Sequence, residues 1–246
     1  MIQRIDEITK GETFISEKFD EPVLYAPARI ENLSPCNSLK IVTAFTDCER
    51  ISTHMIALQE GIENKRFVKG LDVEVILGMT KSSLSQKKHE DICRLIHFLN
   101  ESRGMPQISC RYICNGPEVH SKIYIWSQPD EKIQILPTIA YCGSLNYTMN
   151  AFYKRRETVS RCNPFSAYWY YKNLLPDTID CFDPIAKDKL RKVVNNSPDA
   201  VEEPDNSEKD YLMYDAMQPV ATLNVSLLRA DGSDTGYGSG INWEIG

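Results

Sequence analysis

Apolar residues along most of the chain follow two alternating patterns. Short apolar stretches between turn residues are typical of buried strands, and apolar positions three and four apart are typical of amphipathic helices. The pattern predicts strands over residues 38–45, 71–77, 108–114, 120–126, 139–142 and 157–160, and helices over 49–64, 85–100 and 147–154. This alternation predicts an α/β fold in which helices cover both faces of a mixed β-sheet.

The C-terminal part of the chain departs from this pattern. Residues 195–210 are polar and acidic and contain two prolines, which is typical of a linker. We therefore expect one unit over residues 1–194, a linker over 195–210, and a separate segment over 211–246. A new strand pattern begins within that last segment, so we expect it to be the truncated start of a further domain.

Composition narrows the class of protein. The chain has 246 residues, of which 42% are hydrophobic and 25% charged, as in ordinary globular proteins. No apolar run approaches the roughly 18 residues of a membrane span, and the N-terminus lacks the apolar region of a signal peptide. We therefore expect a cytoplasmic protein with no membrane partner.

The cysteines and acidic residues give no metal signature. The eight cysteines form no close CxxC pair, so scattered reduced thiols are favoured over disulfides or zinc. No acidic cluster accompanies the polar motifs described below, as a two-metal nuclease would need. The sequence therefore predicts no metal and no cofactor.

The first polar motif is His120-Ser121-Lys122, which opens the apolar run 123–126. Side chains at positions i and i+2 of a strand point to the same side, so His120 and Lys122 are predicted to share a face. A lysine in that place can donate to a phosphate oxygen and hold negative charge close to the imidazole.

The second polar motif is Gly143-Ser144-Leu145-Asn146. Glycine at the end of the predicted strand lets a ligand approach the backbone, and Ser144 and Asn146 can each donate to a phosphate oxygen. The segment after Asn146 is predicted to be helical, which also places a helix N-terminus near the phosphate. The alternative is that Ser144 and Asn146 cap that helix.

A charged segment, Lys154-Arg155-Arg156-Glu157, follows the second motif. Glu157 can accept from the second ring nitrogen of a histidine and fix its tautomer, or it can pair with a neighbouring cation on the surface. The net charge of −6 does not favour DNA binding, but a local patch matters more than the sum. Lys154, Arg155 and Arg156 are therefore candidates for DNA contacts, the alternative being a solvated surface.

These motifs resemble those of the phospholipase D superfamily, His-x-Lys followed by Gly-Ser-x-Asn and an acidic residue. The resemblance implies that His120 is a covalent nucleophile that forms a phosphohistidine. It also implies that Lys122 and Asn146 bind the phosphate. Ser144 would be a supporting donor, and Glu157 would orient the histidine. The superfamily's Asp five residues after the lysine is here Ser127, a departure that argues more against lipid-cleaving members than against nucleases.

Within that superfamily, roughly residues 20–180 are similar to the metal-independent restriction endonucleases of the NgoFVII and BfiI type. Those enzymes place a phospholipase D-like catalytic domain first and a B3-like DNA-recognition domain after it. The resemblance implies a type II restriction endonuclease acting on double-stranded DNA, and a B3-like identity for residues 211–246. It also admits a helper ATPase as partner, since some relatives need one.

The chain carries only one His-x-Lys motif, although phosphohistidine chemistry needs a second acid for the leaving group. The other histidines, His54, His89 and His97, lie in helical patterns. A homodimer with one active site built from two copies of His120 is therefore expected, as the resemblance also implies. Two other classes stay open: a nonspecific nuclease or phospholipid phosphodiesterase of the superfamily, and a non-catalytic DNA-binding or assembly module.

Overall fold

The computed structural model describes residues 19–186, and a seven-stranded mixed sheet forms its centre. The strands are β1 Ser38–Thr43, β2 Asp72–Leu77, β3 Gln107–Ile113, β4 Ile123–Asp130, β5 Gln134–Gly143, β6 Val159–Cys162 and β7 Thr178–Asp180. The α-helices are α1 Cys48–Glu63, α2 Thr80–Ser83, α3 Gln86–Glu101, α4 Met149–Tyr153 and α5 Pro164–Leu174. A π-helical turn, Asp20–Tyr25, precedes the sheet, and 3-10 turns occupy Ala26–Ala28 and Leu175–Asp177.

Strand direction decides which chain segments meet. The sheet order is β6-β5-β4-β1-β2-β3-β7, with β1, β2 and β3 parallel to one another. Strand β4 runs antiparallel to both of its neighbours, β1 and β5, and β6 runs antiparallel to β5. The ends of β1 and β5 and the starts of β4 and β6 therefore lie at one edge of the sheet, called the site edge below.

Helices cover both faces of the sheet, as the sequence predicted. One face packs against helices α1, α3 and α4 and carries side chains such as Ile41 and Trp126. The other packs against α5 and carries their chain neighbours Val42 and Ile125. Successive strand residues point to opposite faces, so neighbouring apolar residues are divided between two separate cores.

Most predicted elements have their boundaries within about two residues of the observed ones. Strands β4 and β5 are exceptions: β4 runs from Ile123 to Asp130 rather than over 120–126, and β5 begins at Gln134 rather than at residue 139. The alternation of sides nevertheless extends back through the motif: the Ser121 hydroxyl contacts Tyr170 of α5 at 2.9 Å, and Lys122 points to the opposite side.

Strand β7 and the short helix α2 were not predicted, and neither was helix α5. The helix carries aromatic residues on several sides, and Phe165 and Trp169 are exposed, so its apolar periodicity is weak. The available signal was Asn163 followed by Pro164, an N-cap with proline at the first helical position. The Asn163 side chain accepts hydrogen bonds from the backbone N–H groups of residues 165 and 166, each at 3.0 Å.

The segment before β1 is an integral part of the core. Val23 and Leu24 are buried, and the Trp126 indole donates to the backbone oxygen of Val23 at 2.7 Å. Asp20 pairs at 2.8 Å with Arg50 of α1, whose side chain is 0% exposed. The Arg50 guanidinium also lies 4.6 Å from the centre of the Phe152 ring, so this buried charge has both an ionic and an aromatic partner.

The predictions for the linker over 195–210 and for the segment 211–246 lie outside the described residues, as do residues 1–18 and 187–194 of the predicted unit 1–194. Across residues 19–186, no helix combines the length and apolar character needed to cross a lipid bilayer.

Candidate active site

The two polar motifs meet at the site edge because β4 and β5 are antiparallel neighbours. Ile123 pairs with Cys142 in the sheet, so Lys122 lies opposite Gly143. The Gly143 backbone N–H donates to the Lys122 carbonyl at 3.3 Å. Motifs about twenty residues apart in the sequence are thus joined by a backbone hydrogen bond.

His120 and Lys122 are in direct contact, as the sequence predicted. The Lys122 ammonium lies 3.2 Å from His120 Nδ1 and donates to the His120 carbonyl at 2.7 Å. His120 is exposed, whereas Lys122 is 2% exposed, so the imidazole faces solvent with a buried cation behind it. The Phe45 ring packs edge-to-face against the imidazole, with ring centroids 5.8 Å apart.

Burial shifts the pKa values of Lys122 and Glu157, and the charge of each residue opposes the shift of the other. Burial lowers the pKa of Lys122 to about 7, and the negative charge of Glu157 opposes that shift. Burial raises the pKa of Glu157, while the Ser144 hydroxyl and the charges of Arg155 and Lys122 lower it. Lys122 can therefore change protonation near neutral pH.

Ser144 joins the second motif to Glu157. Its hydroxyl donates to Glu157 and accepts from the Thr158 backbone N–H at 3.0 Å. The Ser144 backbone N–H in turn donates to the Thr158 carbonyl at 3.0 Å. The structure thus shows Ser144 as the hydrogen-bond donor to Glu157, and the orienting of His120 by Glu157 stays a prediction.

Asn146 lies against the turn that follows β1. Its side-chain oxygen is 3.4 Å from both the Phe45 backbone nitrogen and the Thr43 hydroxyl. The cap of α4 is Thr148, whose hydroxyl accepts from the Ala151 backbone N–H at 3.2 Å. The alternative that Ser144 and Asn146 cap this helix is therefore wrong, and both side chains remain candidates for phosphate binding.

Two glycines allow close backbone approaches on either side of the motifs. A Cβ at Gly143 would lie 2.0 Å from the Thr158 carbonyl oxygen, and one at Gly78 would lie 1.9 Å from the carbonyl oxygen of Val119, the residue before His120. The sequence predicted that Gly143 makes room for a ligand. The structure shows instead that it makes room for the backbone next to Glu157.

The basic segment lies in the loop between α4 and β6, directly before Glu157. Lys154 and Arg156 are exposed and Arg155 is half-buried, so the cations are open to solvent beside the site edge. Among residues 19–186, no group of three or more His, Cys, Asp or Glu side chains is placed to hold a metal ion.

The sequence missed the contribution of the turn after β1. Thr43 and Phe45 contact Asn146, and Phe45 also contacts His120. The only available signal was their place at the end of a predicted strand, where α/β proteins often bind ligands.

A mixed sheet carrying His-x-Lys and Gly-Ser-x-Asn at one edge defines a phospholipase D-like domain. Residues 28–184 match the family described as the NgoFVII restriction endonuclease N-terminal PLD domain. This match covers more than half of the chain, and the chain belongs to that family.

Comparison with solved structures finds similar chains at low sequence identity. NucT from Helicobacter pylori is 16% identical, with a TM-score of 0.37, over 73% of this chain and 91% of that one. Nuc from Salmonella typhimurium, a phospholipase D family member, is 20% identical, with a TM-score of 0.37, over 58% and 81% of the two chains. Polyphosphate kinase from Porphyromonas gingivalis is 11% identical, with a TM-score of 0.34, over 71% and 20%. Comparison with curated proteins gives no match.

The coupling between Lys122 and Glu157 gives a prediction for Glu157→Gln. Because the carboxylate charge raises the pKa of Lys122, its loss should move that pKa from about 7 to a lower value. An NMR titration of the Lys122 ε-carbon, assigned by its disappearance in Lys122→Met, measures the shift.

Glu118→Gln is the matched control for this titration. Glu118 is also near the site edge, but it accepts from the Ser82 backbone N–H at 2.8 Å and is not a cause of the Lys122 shift. The pKa of Lys122 should stay near 7 in this control. An unchanged pKa in Glu157→Gln, or an equal fall in both variants, would contradict the coupling.

Proposed function

We propose that this chain is the catalytic part of a restriction endonuclease that hydrolyses DNA phosphodiester bonds without a metal ion, through a phosphohistidine at His120. The observation that carries the proposal is the contact between the exposed imidazole and the buried Lys122 ammonium at 3.2 Å. In this proposal the exposed imidazole is the nucleophile, and the cation beside it binds the attacked phosphate. Membership of the NgoFVII family supports DNA as the substrate.

In the first step a ring nitrogen of His120 attacks phosphorus, forming a P–N bond while the bond from phosphorus to the leaving oxygen breaks. A proton supplied by a second acid neutralises that oxygen. In the second step a water oxygen attacks the phosphohistidine, the P–N bond breaks, and the same acid, now a base, takes the proton of the water. The nucleophile is regenerated, and the sum of the two steps is hydrolysis.

Lys122 and Asn146 stabilise the negative charge that develops on the phosphate oxygens in both steps. A bound phosphate adds negative charge near Lys122 and favours its protonated form, which offsets the effect of burial. Ser144 holds the Glu157 carboxylate, and Glu157 keeps a negative charge near Lys122. In this proposal Glu157 also orients the imidazole of His120.

The proton donor for the leaving oxygen comes from a second copy of the chain. His54 is buried with Nδ1 2.7 Å from the Tyr147 hydroxyl, His89 contacts Tyr112, and His97 lies beside Glu101 on α3. Each of these three histidines therefore already has a partner side chain, and none of them is proposed as the acid. A homodimer that brings two copies of His120 together supplies both the nucleophile and the acid. Dependence on a helper ATPase stays an implication of the family resemblance.

DNA cleavage in excess EDTA tests the metal-free mechanism. The wild-type protein should cut under chelation, and His120→Ala should lose at least about 10³-fold in rate because the nucleophile is gone. His97→Ala, which removes an exposed histidine on α3, should cut like the wild type. Cleavage that stops in EDTA, or that continues in His120→Ala, would disprove the phosphohistidine.

Mixed dimers test the shared active site. When equal amounts of wild-type and His120→Ala chains are co-expressed, about one quarter of the dimers carry two intact histidines. Activity per total protein should then fall to about one quarter of the wild-type value if each site needs both copies. A fall only to about one half would mean that the protomers act independently.

Lys154, Arg155 and Arg156 are proposed to bind DNA phosphates that flank the cleaved bond. The logarithm of the binding constant falls with the logarithm of salt by about 0.9 per neutralised phosphate. Replacing all three residues with glutamine should therefore reduce that slope by about 2 to 3, as measured by fluorescence anisotropy with duplex DNA.

The matched control removes the same number of charges at the opposite edge of the sheet. Lys65, Arg66 and Lys69 are exposed and lie between α1 and β2. Their triple glutamine variant should keep the wild-type slope. Equal slope changes in the two triple variants would show that only net charge matters and would refute a local contact.

A further inference from the structure

The hydroxyl groups of Thr43, at the end of β1, and of Thr46 hold the segment that carries Asn146. We propose that Thr43 is a positioning residue, which sets Asn146 in the orientation needed to bind the substrate phosphate. This inference rests on the proposed function, in which Asn146 is a phosphate ligand.

Thr43 links two chain segments that are distant in the sequence. Its side chain is fully buried, and its hydroxyl donates to the Phe45 carbonyl at 2.9 Å. The same oxygen accepts from the Tyr147 backbone N–H at 3.0 Å and lies 3.4 Å from the Asn146 side-chain oxygen. A single hydroxyl thus ties the turn after β1 to the residues that follow β5.

Thr46 completes the attachment from the other side of Tyr147. Its hydroxyl donates to the Tyr147 carbonyl at 2.9 Å, and residues 46 and 147 form an isolated parallel bridge. Both backbone polar groups of Tyr147 are therefore bound by threonine hydroxyls, while its phenol oxygen lies 2.7 Å from His54 Nδ1. Tyr147 has little freedom to move, and neither has the backbone of its neighbour Asn146.

The turn also sets which end of the Asn146 carboxamide faces the protein. The Phe45 backbone N–H donates to the Asn146 side-chain oxygen at 3.4 Å. If the carboxamide were turned over, its NH₂ group would face this N–H, and two donors cannot form a hydrogen bond with each other. The oxygen is therefore held against the turn, and the NH₂ group is the one directed away from it. An NH₂ group is what a phosphate oxygen needs as donor.

Loss of the Thr43 hydroxyl would leave the buried Tyr147 N–H and the Phe45 carbonyl without this partner. Unpaired buried groups are unfavourable, so the turn should shift until they find other partners. Such a shift moves the Phe45 N–H away from Asn146. It also moves the Phe45 ring, which packs against His120, so the nucleophile and the phosphate ligand depend on the same turn.

The test compares Thr43→Val, which keeps the shape and removes the hydroxyl, with Thr43→Ser, which keeps the hydroxyl. A displacement near 1 Å at a reacting centre can cost about 10² in rate. We therefore expect Thr43→Val to lower kcat by about 10- to 100-fold with KM within about 3-fold, and Thr43→Ser to restore kcat to within about 3-fold.

Thr178→Val is the matched control for the loss of a buried threonine hydroxyl. Thr178 is buried in β7, donates to the Leu175 carbonyl at 2.8 Å and accepts from Arg111 at 2.7 Å. Its variant should lose stability but keep kcat. Full kcat in Thr43→Val, no rescue by serine, or an equal loss of kcat in Thr178→Val would each overturn the positioning role.

A second readout does not depend on cleavage. The side-chain amide signals of Asn146, assigned as those missing from Asn146→Ala, should shift in Thr43→Val and keep their positions in Thr43→Ser and Thr178→Val. Unshifted signals in Thr43→Val would overturn the inference. If the signals shift in Thr43→Val but the wild-type protein cleaves no DNA, the positioning of Asn146 is supported and the proposed function is rejected.

Discussion

The site depends on the direction of a single strand. Because β4 runs antiparallel to β1 and β5, its first residues lie between the last residues of both neighbours. Each of those strand ends carries one part of the site: the turn with Thr43 and Phe45, the motif with Lys122, and the segment from Gly143 to Asn146. A parallel β4 would place His120 and Lys122 at the opposite edge of the sheet, about a strand length away from Asn146.

This arrangement also sets the electrostatics. Lys122 precedes a central strand, so its side chain is enclosed between the sheet and the covering segments rather than surrounded by water. An enclosed ammonium is costly unless an opposite charge lies near it. Glu157 provides that charge, because the pairing of Gly143 with Val159 brings the residues before β6 close to the end of β5. Two apolar side chains in these places would favour the folded state more. The charged pair therefore fits the binding role that we propose for it better than a purely stabilising one.

Features that depend on residues close together in the sequence could be predicted from it. Apolar periodicity predicted the mixed sheet and the two long helices, and side-chain alternation correctly predicted the contact between His120 and Lys122. Contacts between distant segments could not be predicted: the tie from Thr43 to residue 147, and the fit of Gly143 against the backbone at Thr158. Helix α5 was missed because its aromatic residues blur the periodicity. The role of Glu157 was inferred from its charge and from the family resemblance, and it stays a prediction. Its observed bond to Ser144 depends on how β5 and β6 meet.

The segment around Asp20 shows that the packed core and the family match have different N-terminal boundaries. The match begins at residue 28, whereas the core already includes Phe19, Val23 and Leu24. A fragment trimmed to the match would strip the buried guanidinium of Arg50 of its carboxylate and the Trp126 indole of its acceptor. Sequence similarity thus marks the part of the domain shared with relatives, whereas the buried core extends nine residues further towards the N-terminus.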